Sequence, residues 1–170
     1  MQTLILDNPE TVGRASGEQA ADLIRKAVAA KGQANIILAT GASQFETLRT
    51  LVEQPNVDWS RVVMFHLDEY IGLPATHPAS FRRYLTERFV NNVGKLKAAN
   101  FLEPDPAAPA KECARMGKII AAHPIDAALI GIGENGHLAF NDPPADFNRQ
   151  DAYIVVDLDK ACRMQQVGEG

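Results

Sequence analysis

At 170 residues with 46% hydrophobic side chains, the chain is long enough for one domain with a substantial core, and its composition is ordinary for a globular protein. A formal net charge of −4, spread along the sequence, argues against a nucleic-acid surface or a basic membrane anchor, so an anionic ligand would need local donors. Cys113 and Cys162 lack C-x-x-C or Cys/His ligand spacing, no signal peptide is evident and no apolar run approaches membrane-spanning length, so free thiols and a cytoplasmic location are expected.

In chain order, Thr3 to Asp7 predicts a first strand, and Glu18 to Ala30 carries Ala20, Leu23, Ile24, Ala27 and Val28 at helical spacing, closed by Gly32 as a C-cap. Asn35 to Ala39 predicts a second strand, followed by Thr40-Gly41-Ala42-Ser43-Gln44 and a helix from Phe45 to Glu53 that stops before Pro55. A glycine and two hydroxyls ahead of a helix N-terminus suit a phosphate cradle, and equally suit helix capping by Thr40 or Ser43. Val62 to Leu67 predicts a third strand that runs into Asp68-Glu69-Tyr70. Side chains alternate along extended backbone, so one of the two carboxylates can face a ligand crevice while the other supports it.

Gly72, Pro74, His77 and Pro78 mark a turn-rich segment before a helix over Ala79 to Val90, with Phe81, Tyr84, Leu85, Phe89 and Val90 near one face and Arg82 and Arg83 on a solvated one. Leu96 to Leu102 has no clear assignment; a proline-rich turn then leads into a helix over Ala110 to Ala122. Ala127 to Ile132 is a short apolar run expected to be a central strand buried on both faces. Beyond it, Gly131, Gly133 and Gly136 permit a sharp turn that delivers His137. Ala152 to Val156 predicts a further strand, and Asp159 an N-cap for a last helix beginning Lys160-Ala161-Cys162-Arg163. Strands alternating with helices imply a single α/β domain over 1–170, a doubly wound, mainly parallel sheet with helices on both faces in a Rossmann-like, three-layer arrangement.

Gly131 to Gly136 also satisfies G-x-G-x-x-G, with Asp157 and Asp159 roughly 20 residues on. Pro143 and Pro144 follow within two turns, however, and block the helix that dinucleotide binding needs. His66 and Asp68 share one side of a strand and could join His77 or His137 around zinc, but no repeated ligand spacing supports a metal site.

Three segments together resemble the glucosamine-6-phosphate deaminase (isomerase) family: Thr40-Gly41-Ala42-Ser43, Phe65-His66-Leu67-Asp68-Glu69-Tyr70 with its following Gly-Leu-Pro and His-Pro, and Gly131-x-Gly-Glu-Asn-Gly-His-Leu-Ala-Phe-Asn-Asp-Pro. The related 6-phosphogluconolactonases share the glycine-histidine turn but typically carry Asp-Glu-Arg at the second motif and lack the Ala-Phe-Asn-acid-Pro continuation. The resemblance implies conversion of glucosamine 6-phosphate to fructose 6-phosphate and ammonia without metal or organic cofactor. It gives Asp68 the proton transfer between C2 and C1, and His137 the ring oxygen. Thr40, Gly41, Ala42 and Ser43 would hold the phosphate, and Glu69, Gly136 and Arg163 would contribute to substrate binding. Its implied partner is a small sugar phosphate, with neither nucleic acid nor membrane, and a homo-oligomer is left open.

Two departures fall inside the motifs. Asn135 stands where many family members have an acid that orients His137, and Asp142 where they have glutamate; Glu134 or Asp142 must then supply the missing charge. Family members also continue past the end of this sequence, so a C-terminal part and some phosphate contacts are expected to be missing. A sugar-phosphate lactonase, or a binding domain without turnover, remain rival readings.

Overall fold

The computed structural model describes residues 2–133 and 135–158. The chain opens on helix α1, Pro9–Lys31, whose N-terminus is fixed by a reciprocal capping box. Asn8 Oδ1 accepts from the Thr11 N–H at 2.9 Å and Thr11 Oγ1 accepts from the Asn8 N–H at 3.3 Å. Pro9 occupies the first turn, where its missing N–H costs nothing, and Gly32 closes the helix with φ 76°. The expected C-cap is therefore present, while the helix begins at Pro9 rather than Glu18. Gly13 and Gly17 lie within it and are buried.

Strands β1, Ala34–Leu38, and β2, Val62–His66, are buried at every residue. Helix α2, Phe45–Val52, follows β1, and α3, Phe81–Arg88, follows β2. A short β3, Ala98–Asn100, lies in the stretch that sequence pattern leaves unassigned; α4, Pro109–Ala121, and β4, Ala127–Leu129, complete the described elements. The sheet order is β3-β2-β1-β4 and every pairing is parallel. The chain thus builds outward from β1 through β2 to β3, then crosses back to place β4 on the other side of β1. That reversal opens a crevice beyond the carboxyl ends of β1 and β4.

Alternate residues of β1 and β2 feed two cores. Ile36, Leu38, Val62 and Met64 pack with Ile24 of α1, Leu48 and Leu51 of α2 and Leu85 of α3. Ile37, Val63 and Phe65 pack on the other face with Met116 of α4, Leu102 and Tyr153. The architecture is therefore the expected three-layer α/β sheet with helices on both faces. Among the described residues no helix is long and apolar enough to cross a membrane.

Three strand expectations are corrected. Residues 3–7 form no strand, and Leu4 and Ile5 are 62% and 93% exposed. Residues 152–156 form none either, although Tyr153 is buried. In both places the apolar pattern is present but no described strand supplies the ladder that satisfies backbone N–H and C=O groups. β4 is an edge strand of the described sheet rather than a central one, with Ala128 exposed between buried Ala127 and Leu129. The expected final helix, with Asp159, Cys162 and Arg163, lies outside the described residues.

The two helical glycines explain how α1 reaches α2. A Cβ on Gly13 would collide with the Glu46 backbone, and one on Gly17 with Thr50 and the Thr47 carbonyl. Between them the Ser16 and Thr47 hydroxyls hydrogen bond at 2.7 Å. Helix propensity alone favours Ala over Gly by about 1 kcal/mol. Gly13→Ala is nevertheless expected to destabilise the fold by about 1–3 kcal/mol in urea denaturation, because overpacking outweighs propensity at this contact. A neutral or stabilising outcome would show that α1 and α2 are not in close backbone contact.

Candidate active site

Three loops leave the carboxyl ends of β1, β2 and β4 at one level, because Leu38 pairs with both His66 and Leu129. Backbone bonds carry the ladder one residue further, from Ala39 N–H to the Leu129 carbonyl and from Leu67 N–H to the Leu38 carbonyl. Thr40, Asp68 and Gly131 therefore emerge side by side. Together with Gly41, Ala42, Ser43, His137 and Phe140 they line a cavity of about 280 Å³.

The first loop turns at Gly41, whose φ of 94° disfavours a side chain, into a single 3-10 turn, Ala42–Gln44, ahead of α2. No side chain caps α2 at its N-cap Gln44, so Thr40 and Ser43 are not spent as helix caps. Gln44 is buried, and its amide lies 3.3 Å from Ser43 Oγ. A Cβ on Gly131 would come within 3.2 Å of that hydroxyl, so the third loop crosses close above the first.

In the second loop the two carboxylates part as alternation requires. Glu69 turns away from the cavity into fully buried surroundings, where it accepts hydrogen bonds from Tyr70, Phe81 and Arg82 N–H groups and from Ser80 Oγ. Arg82 Nε stands 3.4 Å from it, and Arg82 Nη2 donates to the Leu73 carbonyl at 2.7 Å. Arg82 is therefore mostly enclosed rather than on a solvated face, because it completes the surroundings of a buried carboxylate. Asp68 lines the cavity, with Oδ1 shielded from solvent and without a hydrogen-bond partner. Burial, reinforced by the adjacent Glu69 charge, pushes its carboxyl up to about 7. His66, one turn of pleat earlier, is buried beneath the site, and burial together with Arg82 pushes its imidazole down to about 3.

The third loop contains no helix, as the prolines require, and closes through Gly136 N–H to the Gly133 carbonyl and Gly133 N–H to the His137 carbonyl, each at 2.9 Å. The imidazole lies over Gly133, where any Cβ would strike the ring. His137 Nδ1 is 2.5 Å from Asn135 Oδ1 and 2.8 Å from Asp142 Oδ1, and Asn135 Nδ2 donates to Asp142 Oδ1 at 3.0 Å. A ring nitrogen flanked by two oxygen acceptors carries a proton, so Nε2 is the acceptor nitrogen of the neutral ring. Asn135, Gly136 and Asp142 thus support His137 without lining the cavity. Arg163 and Glu134 lie outside the described residues.

The family model for glucosamine-6-phosphate isomerases and 6-phosphogluconolactonases matches residues 7–164. The chain belongs to this family. It is 35% identical over 158 residues to a glucosamine-6-phosphate deaminase of Streptococcus pneumoniae (strain 70585), covering 92% of this chain and 64% of that protein. It is 38% identical over 144 residues to one of Listeria monocytogenes serotype 4a (strain HCC23), covering 84% of this chain and 60% of that protein. The chain spans less than two thirds of the length of these curated relatives. Among solved structures it is similar to a monomeric glucosamine-6-phosphate deaminase, with TM-score 0.82 and 28% identity over 97% of this chain and 68% of the other. It also shares the fold of a 6-phosphogluconolactonase from Trypanosoma brucei, with TM-score 0.70, 18% identity and coverage of 84% and 63%.

Within this family member, sequence reasoning missed Phe81 and Phe140 as cavity walls. Phe81 was legible as an apolar helix residue and Phe140 as a member of the third motif, and nothing in their spacing shows that they meet. A second cavity of about 820 Å³ lies on the other side of Asp68 and Phe140 and is walled by Tyr153, Glu112 and Cys113. It lacks both His137 and the glycine turn after β1. Among the described residues no three of His, Cys, Asp and Glu are grouped to hold a metal ion.

The state of Asp68 yields a stability prediction. Its folded pKa is raised above the unfolded value of about 3.9, so between about pH 4 and pH 7 the unfolded chain binds fewer protons and stability falls as pH rises. Asp68→Asn removes that loss. Urea denaturation is expected to show the variant gaining on the parent through this window, by roughly 1–2 kcal/mol after allowance for solvent screening, and then holding level. Parallel pH profiles for the two proteins would mean that Asp68 is not desolvated.

Proposed function

We propose that the chain forms the catalytic part of a glucosamine-6-phosphate deaminase. The reading is carried by one observation: Asp68, His137 and the Thr40–Ser43 turn line the same cavity, at the point where the strand order reverses. The turn's backbone N–H groups and hydroxyls hold the 6-phosphate. His137 Nε2 exchanges a proton with the ring oxygen as the pyranose opens. In the open-chain aldehyde the C2 proton is acidified by the neighbouring carbonyl, and Asp68 removes it and returns it to C1. The resulting imine at C2 takes up water and releases ammonia, leaving fructose 6-phosphate.

Each group is suited to its step. A carboxyl with its pKa near 7 and one bare oxygen is a stronger base than a solvated aspartate and is about half ionised at neutral pH. Asp142 supplies the charge behind His137 that Asn135 lacks, at 2.8 Å from Nδ1. The site would sit in a cytoplasmic enzyme acting on a small sugar phosphate.

The test is ammonia release from glucosamine 6-phosphate by the chain. Turnover is expected, with kcat/KM rising as pH increases through about 7 while Asp68 ionises. Asp68→Asn should lower kcat about 10²–10⁴-fold with KM little changed. Asp142→Asn should lower kcat by about 10-fold or more through loss of the charge behind His137. Hydrolysis of 6-phosphogluconolactone without ammonia would replace this reading with the lactonase one, and sugar-phosphate binding without either product would replace it with a binding domain.

A further inference from the structure

Helix α3 touches all three loops of the site although it contributes only Phe81 to the cavity wall. Its first turn is held by the loop after β2: the buried Glu69 carboxylate accepts from Phe81 N–H at 3.1 Å, Arg82 N–H at 2.9 Å and Ser80 Oγ at 3.0 Å. The Phe81 ring stacks on Phe140 with centroids 5.7 Å apart and planes 19° apart. Tyr70 closes the cluster at 4.9 Å from Phe81 and 5.2 Å from Phe140. Phe140 lies three residues past His137, so this cluster joins the Asp68 loop to the His137 loop.

One turn further along the helix, Tyr84 donates from its hydroxyl to the Gly41 carbonyl at 2.9 Å. Its ring stacks on Phe45 at 5.8 Å, and Arg88 caps the stack with its guanidinium 4.0 Å from the Phe45 centroid. Residues 81, 84 and 88 share one helical face. The peptide plane makes the Tyr84 bond consequential. In a trans peptide the carbonyl and the following N–H point in opposite directions, so drawing the Gly41 oxygen toward α3 turns the Ala42 N–H the other way. Ala42 lines the cavity.

We propose that α3 sets the spacing of the site through two positioning residues outside the sequence motifs' catalytic pair. Tyr84 orients the anion-binding turn, and Phe81, through Phe140, fixes the His137 loop against the Asp68 loop. The proposal rests on the deaminase reading for its kinetic consequences and on geometry alone for its structural ones. Ordinary core packing predicts something different: loss of stability with both loops loosened together.

Two conservative variants separate these. Tyr84→Phe keeps the stacked ring and removes one hydrogen bond, and should raise KM and the inhibition constant of inorganic phosphate about 3–10-fold with kcat nearly unchanged. Phe140→Leu keeps an apolar side chain and loosens the stack, and should lower kcat about 10–100-fold with the phosphate inhibition constant nearly unchanged. Amide hydrogen exchange supplies a readout that does not need turnover. Tyr84→Phe should speed exchange at residues 41–44 and leave 135–141 alone, and Phe140→Leu should do the reverse. Either variant loosening both loops equally, or neither loop responding, overturns the proposal. If the parent chain releases no ammonia while the exchange pattern splits as described, the deaminase reading fails and the role of α3 stands.

Discussion

The constraint on which this site depends is register. Leu38, His66 and Leu129 stand level across three parallel strands, so the residues two positions beyond them emerge together at one edge of the sheet. Because side chains alternate, a slip of one residue in β2 would swap the places of Asp68 and Glu69. The carboxylate with the unpartnered oxygen would then turn into the protein, and the one that holds α3 would face the ligand. The two apolar cores packed on the opposite faces of β2 make such a slip costly, since it would exchange every residue between them. The hydrophobic alternation of β1 and β2 is thus what aims Asp68 into the cavity.

A second consequence follows from placing two acids in adjacent positions. Glu69 is surrounded by donors and Asp68 has a bare oxygen, and the charge of the first adds to the burial of the second in lifting the Asp68 pKa. The arrangement costs folding free energy at neutral pH, because a carboxylate is kept where it is poorly solvated. It leaves a carboxyl of high proton affinity that exchanges its proton close to neutral pH. Stability must come from elsewhere, and the close α1–α2 crossing at Gly13 and Gly17 and the two continuous cores are where the described structure has it.

Much of this was legible in the sequence because it is local. The apolar runs of β1 and β2, the Gly32 cap and the glycine turns around residues 41 and 131–136 each carry their own signal within a few residues. Pro143 and Pro144 were enough to reject a dinucleotide-binding helix. What failed was partnership. Residues 3–7 and 152–156 have strand-like composition, but composition does not say whether a ladder partner exists. Residues 9–17 carry no helix expectation, although Gly13 and Gly17 there are what let α1 approach α2, and Arg82 reads as solvated until a buried carboxylate from the preceding loop is seen beside it. Phe81 and Phe140 meet across nearly sixty positions of sequence, so no short pattern could pair them.

The hydrogen bonds around His137 show how an amide at position 135 holds the imidazole in place. Asn135 Oδ1 accepts from the His137 main-chain N–H and lies against Nδ1, while its Nδ2 donates to Asp142 Oδ1. An ionised aspartate at 135 could do the first two but not the third: its second oxygen would face the Asp142 oxygen at the 3.0 Å that the amide nitrogen now spans. Like charges at that separation repel, and one of the acids would have to move or take a proton. With asparagine in place, a single negative charge sits behind the imidazole, on Asp142, and the amide holds both partners to it. The placement of the imidazole against Gly133 then follows from the amide and one carboxylate together, without requiring a second acid at position 135.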